Sequence, residues 1–304
     1  MNRIASINVD VDGLHLYYRI HGLPENAAPG RGAIYTTGMT RFLNLFQALG
    51  IRATFFVVTE DLEDIAAREV IQRAVQEGHE IASHSHTHPY DLIRMDRQAI
   101  TDEITRAEES IGEITGETPR GFRAPGYNTS PELLEILAER GYLYDSSFFP
   151  STPYYLAKAM VLSWYSLRRR PSESILGSPS VLATPRLPHL LKTAAGPLLE
   201  LPVTVLPWTR FPVIGTSLIA MGHRGWRLAR SSVNKVPFIN LEFHAIDMTD
   251  HALDNIDDVL LRQPDQRTPL AEKTTLFNEV LSHLKEGWEN RTLEEVAKIQ
   301  TAVS

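Results

Sequence analysis

A chain of 304 residues with 43% hydrophobic and 22% charged residues, 18 Gly and 19 Pro is globular in composition, which excludes disorder, collagen and coiled coil and leaves ample sequence for a core. With no cysteine, disulfides, iron–sulfur clusters, thiolate zinc sites and cysteine nucleophiles are excluded, so a metal would have to sit on His and carboxylates. The net charge of −7 argues against a nucleic-acid partner, and no apolar run approaches the roughly 20 residues that span a bilayer. The apolar start is short and runs into Asp10 and Asp12, unlike a signal peptide, so the expectation is a cytoplasmic protein.

In chain order, Ile7 to Val11 reads as a short strand ending in an acidic pair, followed by a Gly-, Pro- and Ala-rich loop from Gly22 to Gly32. Phe42, Leu43, Leu45, Phe46 and Leu49 give a helical stripe stopped by Gly50. The continuous apolar run at 53–58 has the look of a strand buried on both faces. Ala67, Ile71, Ala74 and Val75 form the next helical face, and 79–84 the next strand. Ile100, Ile104, Ala107, Ile111 and Ile114 alternate steps of four and three, one face of a 3.6-residue period. After a short strand at 121–124, Ser130-Pro131 supplies an N-cap and a first-turn proline for a helix through Leu137. This alternation implies parallel βαβ units, as an open sheet or a barrel, with functional residues gathered at strand ends.

Residues 151–235 break the rhythm and read as an insertion within a single domain spanning 1–304. It opens with an apolar helix from Tyr154 to Leu167, followed by Arg168-Arg169-Arg170, and contains a core strand at Leu199 to Leu206. Phe238 to His244 is a late strand; Leu276, Phe277, Val280, Leu281 and Leu284 mark a helix, and Thr292-Leu293-Glu294-Glu295 starts a last one with a capping box.

The chemistry-bearing residues sit where these strands end. His84 and His88 are four apart, so in a helical turn both imidazoles would share one face and one metal, with His86 pointing elsewhere. A polar surface loop is the alternative, although three of the chain's 11 histidines fall within five residues. Asp10 and Asp12 add a third ligand and a spare carboxylate for general-base work. A two-His, one-carboxylate set suits a hydrolytic zinc site or a non-haem iron site, and spacing alone does not choose between them. His15, His21 and His79 read as structural or exposed; His189, His223, His251 and His283 have no motif context.

Five stretches, taken in order, resemble the polysaccharide deacetylase family (NodB homology, carbohydrate esterase family 4). They are Asp10-Val11-Asp12; His84-Ser85-His86-Thr87-His88; Arg123-Ala124-Pro125; Asp145-Ser146-Ser147; and Leu241-Glu242-Phe243-His244. The resemblance covers 5–150 and resumes from about 199 to 300. It implies a distorted (β/α)7 barrel with a long insertion around 151–198. It also implies a divalent metal on Asp12, His84 and His88, zinc foremost, with Co2+, Ni2+, Mn2+ or Fe2+ as alternatives. Asp10 would be the base, held by Arg123; because Val11 separates the usually adjacent pair, exchanged roles for Asp10 and Asp12 stay open. His244 would be the acid, oriented by Asp145, with Asp247 as a rival. Pro125, Gly126 and Tyr127 would line the acyl pocket, with a backbone N–H near Gly126 as oxyanion donor, although Gly126 stands where an aromatic residue often follows the proline.

The implied reaction removes an acetyl or formyl group from an N-acylated amino sugar or sugar conjugate. A lipid-linked sugar would fit with peripheral membrane contact by the Tyr154–Leu167 helix, for which a lid or core helix is the plainer reading. The alternatives are hydrolysis of another linear or cyclic amide, as in allantoinase-like relatives, and a non-catalytic carbohydrate-binding relative. Cyclic-amide hydrolases of this type often lack the first Asp, so its presence favours deacylation.

Overall fold

The computed structural model of the chain describes residues 3–21, 30–168 and 173–303. Most of the expected Gly/Pro/Ala loop, together with Arg169 and Arg170, lies outside them. The apolar runs form the strands β1 (Ile4–Val11), β2 (Ala53–Val57), β3 (Glu80–Ser83), β4 (Gly121–Phe122), β5 (Tyr144–Asp145), β6 (His189–Thr193), β7 (Gly196–Glu200), β8 (Phe238–His244) and β9 (Glu289–Asn290). Seven of them run parallel in the order β7-β5-β4-β3-β2-β1-β8; β6 adds an antiparallel edge to β7, and β9 pairs with β1.

The helices are α1 (Leu14–Ile20), α2 (Thr40–Leu49), α3 (Ile65–Gln76), α4 (Arg97–Thr115), α5 (Pro131–Glu139), α6 (Thr152–Leu167), α7 (Gly215–Val233), α8 (Pro264–Arg267), α9 (Leu270–Gly287) and α10 (Leu293–Val303). Their local signals work as expected. Asp64, Asp96 and Ser130 accept from Ala66, Ala99 and Leu133 N–H to cap α3, α4 and α5. Ile100, Ile104, Ala107 and Ile111 of α4 are buried. Thr292 and Glu295 form the reciprocal capping box that starts α10.

The sheet curls until its ends meet. Thr204 N–H donates to Asn240 O (3.1 Å), Asn240 N–H to Thr204 Oγ1 (2.7 Å) and Asn240 Nδ2 to Leu201 O (2.8 Å). These bonds join the chain after β7 to β8, and the result is a distorted (β/α)7 barrel. The stretch expected as one strand from Leu199 to Leu206 is regular strand only to Glu200; beyond it Leu201 and Val203 N–H still donate to Asp145 and Phe148 O, both at 2.9 Å, while Pro202 between them has no N–H to give.

Inside the barrel one strand face is polar. The register pairs Ser6 with Asn240, Asn8 with Glu242 and Asp10 with His244, and all but His244 are buried. Asn8 Nδ2 donates to Asn240 Oδ1 (2.5 Å), and Asn240 Nδ2 to Ser146 Oγ beyond β5 (3.0 Å). β5 and β8 are not sheet neighbours, so the Asn240–Ser146 bond crosses the interior. The opposite strand faces pack into the apolar core with α2 and α9, through Phe42, Phe46, Phe243 and Phe277.

Gly38, in the single π-helical turn Tyr35–Met39 before α2, meets the loop after β8 without room to spare. A Cβ there would stand 2.0 Å from Ala245 O. Gly38→Ala is expected to destabilise the protein by about 1–3 kcal/mol through overpacking, seen as a lower urea midpoint with an unchanged m-value.

The insertion supplies α6, and here the structure separates two expectations. None of its residues is buried, so it is not a core helix. Leu156, Met160, Trp164 and Leu167 form an outer stripe, 55%, 68%, 43% and 84% exposed, while Tyr154, Lys158, Leu162 and Tyr165 face the cavity over the barrel mouth. Among the described residues no helix is long and apolar enough to cross a membrane.

Candidate active site

Parallel strands end on one side of a barrel, and that side gathers the polar groups. Asp10 lies near the end of β1 and Asp12 just past it; His84 follows β3, Arg123 follows β4, and His244 closes β8. Asp10, Asp12, His84 and His88 are buried and His244 is 21% exposed. All five line one cavity of about 430 Å³.

The His84–His88 segment is a loop rather than the expected helical turn. Left-handed backbone at Ser85 (φ 65°) and His88 (φ 55°) folds the chain back and brings the two rings to 4.8 Å, edge to face. Such conformations cost energy in non-glycine residues and cluster at sites the surroundings hold in place. His86 turns away, to Thr59 Oγ1 (2.9 Å). Tyr90, unmarked in the sequence reading, packs edge-on against His88 at 4.7 Å.

Asp12 Oδ1 lies 3.4 Å from His84 Nε2 and 3.6 Å from His88 Nε2, and it is a buried oxygen without a hydrogen-bond partner. Three donors on a tetrahedral cation with bonds of about 2.0–2.2 Å stand about 3.3–3.5 Å apart, so the trio fits a divalent metal. The donor chemistry fits as well. His84 Nδ1 bonds to Arg123 O (2.7 Å), which places the proton on Nδ1 and leaves the Nε2 lone pair toward Asp12. Burial, reinforced by His84, holds His88 well below the usual histidine range and therefore neutral.

Asp10 has different company. Arg123, fully buried, donates from Nη1 to Asp10 Oδ1 (2.5 Å) and Asn8 Oδ1 (2.6 Å). Its Nε and Nη2 donate to Ser146 O and Oγ, both at 2.9 Å. The guanidinium also sits 4.1 Å over the Phe56 ring. Asp10 Oδ2 is 3.8 Å from His84 Nε2. Asp10, Glu242 and His244 also come together closely enough to hold an ion, but the Arg123 cation already occupies the Asp10 side of that group.

Asp145 does not sit with His244; among the described residues no hydrogen bond or ion pair joins them. Asp145 Oδ1 accepts from Ser147 Oγ (2.6 Å), which accepts from Ala124 N–H (2.8 Å), so Asp145 braces the loop carrying Pro125, Gly126 and Tyr127. In register it faces Glu200. Burial raises both carboxyls above their ordinary range, as for two acids sharing a proton.

The carboxylate beside His244 is Glu242, whose Oε1 is 3.7 Å from Nε2 and accepts from Tyr127 OH. Asp247 holds the His244 backbone instead, accepting from its N–H (3.0 Å). Burial works against the imidazolium, but Glu242 first and then Asp10, Asp12 and Asp247 outweigh it, raising His244 to about 9. Within the pocket loop, Gly126 (φ 61°) and Tyr127 (φ 63°) are left-handed. Tyr127 N–H is committed to Ala124 O at 3.0 Å.

Residues 31–144 match the family profile described as polysaccharide deacetylase. Over that stretch the chain is similar to the polysaccharide deacetylases. The matched stretch contains His84, His88 and Arg123, while the strands carrying Asp10, Asp12 and His244 fall outside it. The chain is 28% identical over 158 residues to a peptidoglycan deacetylase of Helicobacter pylori, covering 50% of this chain and 53% of that protein. It is 36% identical over 92 residues to a chitooligosaccharide deacetylase of Bradyrhizobium, 30% of this chain and 41% of that one. The chain thus spans about half or less of the length of these curated relatives. In fold it is similar to a Mycobacterium smegmatis protein assigned to the polysaccharide deacetylases, with a TM-score of 0.64 at 19% identity, over 99% of this chain and 91% of that one.

Proposed function

We propose that this chain is a metal-dependent hydrolase that removes an N-acyl group, acetyl or formyl, from an amino sugar or sugar conjugate. The observation that carries the reading is the unpartnered Asp12 Oδ1 between two imidazole nitrogens, beside a second carboxylate, Asp10, held by a buried arginine. The distances favour Asp12 as ligand and Asp10 as base. When bound, a divalent cation, zinc foremost, supplies Lewis acidity and acidifies a water.

The chain's own groups do the rest. Asp10 accepts a proton from the attacking water, and Arg123 keeps that carboxylate oriented. Gly126 N–H, the pocket-loop amide left once Tyr127 is committed, donates to the acyl oxygen as charge develops. His244 gives its proton to the departing nitrogen, since an amide nitrogen leaves as a neutral amine. Tyr127 and Glu242 fix where that proton is held.

The test is a screen for acetate and formate release across N-acyl amino sugars, their nucleotide conjugates and lipid-linked forms, with the metal stripped and restored. Release that stops on stripping and returns with Zn2+ is expected; release unaffected by stripping overturns the reading.

The pH profile tests His244 separately. A folded-state pKa raised to about 9 keeps the imidazolium below that pH, and donation fails as pH rises through it. Glu242→Gln keeps an acceptor for Tyr127 but removes the strongest charge supporting the imidazolium. The basic limb of kcat/KM is expected to move down by about 1–3 pH units relative to wild type in the same metal state. An unmoved limb would assign it to another group.

A further inference from the structure

A second cavity of about 350 Å³ adjoins the first, sharing Gly126, Tyr127, Tyr154 and Lys158 with it. Part of its wall comes from α6 and residues 176–184, beyond the stretch that matches the family profile. Among the described residues no Asp or Glu lines it, and Lys158 is the one cation that does.

Lys158 Nζ donates to Gly126 O (3.1 Å), and among the described residues no carboxylate pairs with it. Burial alone brings its ammonium down to about 8, the mark of a desolvated charge without a partner. Close by, Asn128 is 3% exposed, yet its Nδ2 has no hydrogen-bond partner. Buried amide donors are rarely left so.

Both nitrogens lie beside Gly126, where a Cβ would stand 3.3 Å from Asn128 Nδ2, 3.5 Å from Lys158 Nζ and 3.2 Å from Tyr90 Cδ1. Ser130, at the N-cap of the nine-residue α5, lines the same cavity and already accepts from Leu133 N–H. Its hydroxyl proton and the helix N-terminus therefore both favour an anion.

We propose that Lys158, Asn128 and Ser130 form an anion subsite that takes a phosphoryl group carried by the N-acyl substrate. Three donors lining one cavity suit the three acceptor oxygens of a phosphate monoester better than the two of a carboxylate. The subsite would place the anion next to the acyl pocket, since the two cavities share Gly126 and Tyr127. The substrate assignment rests on the deacylation reading; anion binding rests on the geometry alone.

The test has two arms. Calorimetric titration of the metal-free protein with inorganic phosphate is expected to show binding, weaker by about 10-fold or more in Lys158→Met and Asn128→Ala. Lys158→Arg, which keeps the charge, should retain it, and acetate should bind less well than phosphate. In the kinetic arm, the metal-loaded enzyme should prefer N-acetylglucosamine 1-phosphate over N-acetylglucosamine through KM, and Lys158→Met should erase that preference. Equal phosphate affinity in wild type, Lys158→Met and Asn128→Ala overturns the subsite even if acyl release occurs. Stronger binding of acetate than phosphate overturns the phosphoryl assignment. Lys158-dependent phosphate binding without acyl release from any member of the acyl-sugar screen upholds the subsite and overturns the deacylation reading.

Discussion

Asp10→Asn is expected to slow acyl release by about 10²–10⁴-fold, the range for loss of a general base, while zinc affinity stays close to wild type. Asparagine keeps the size of Asp10 and can still accept from Arg123 Nη1, which lies 2.5 Å from Oδ1 in the native site, so the fold should tolerate it. Asp12→Asn should behave differently. It weakens the donor placed 3.4 and 3.6 Å from the two imidazole nitrogens, and zinc affinity should fall by more than the roughly 10–100-fold seen when a supporting residue outside the ligand set is lost. Calorimetry with zinc on both variants, beside single-turnover acyl release, separates the two carboxylates. Retained zinc binding in Asp12→Asn with loss in Asp10→Asn would mean that their roles are exchanged.

Arg123→Ala is expected to cost the most stability. The side chain is fully buried and ties the end of β4 to β1 and β5 through four acceptors, the Asp10 and Asn8 side chains and both oxygens of Ser146. Its removal leaves Asp10 buried and unpaired, a change worth about 3–5 kcal/mol. In a chain of this size that is roughly 6–20 °C in Tm. Arg123→Lys should recover only part of the loss, because an ammonium cannot reproduce the planar fork. In the double variant with Asp10→Asn the penalty should shrink, since the stranded charge is gone. Differential scanning calorimetry on the four proteins measures that coupling, and strict additivity would mean that Arg123 is not there for Asp10.

The sequence was informative where one side chain's spacing carries the chemistry. His84 and His88 stood out by their density, and the stripe of Ile100, Ile104, Ala107 and Ile111 gave α4 outright. Glu242 carries no spacing signal of its own, because it stands in an apolar strand as a lone acid. Its signal lies in alternation: Asn240, Glu242 and His244 recur at every second residue, as do Ser6, Asn8, Asp10 and Asp12. In parallel strands buried on both faces, such a polar face marks the barrel interior. Asp145 was linked to His244 by motif order alone, whereas its position across from Glu200 depends on which strands pair. The loop geometry of His84–His88 is not legible for a similar reason, since no glycine marks the left-handed positions at Ser85 and His88. Lys158 lies on a helix apolar on nearly every side, where no periodicity shows which face meets the cavity.

The most direct measurement of the central claim is anomalous diffraction at the zinc edge from crystals of the zinc-loaded protein. One peak is expected at about 2.0–2.2 Å from Asp12 Oδ1 and from Nε2 of both His84 and His88, with Asp10 left on Arg123. A peak among Asp10, Glu242 and His244 instead, or none at either place under saturating zinc, would contradict it.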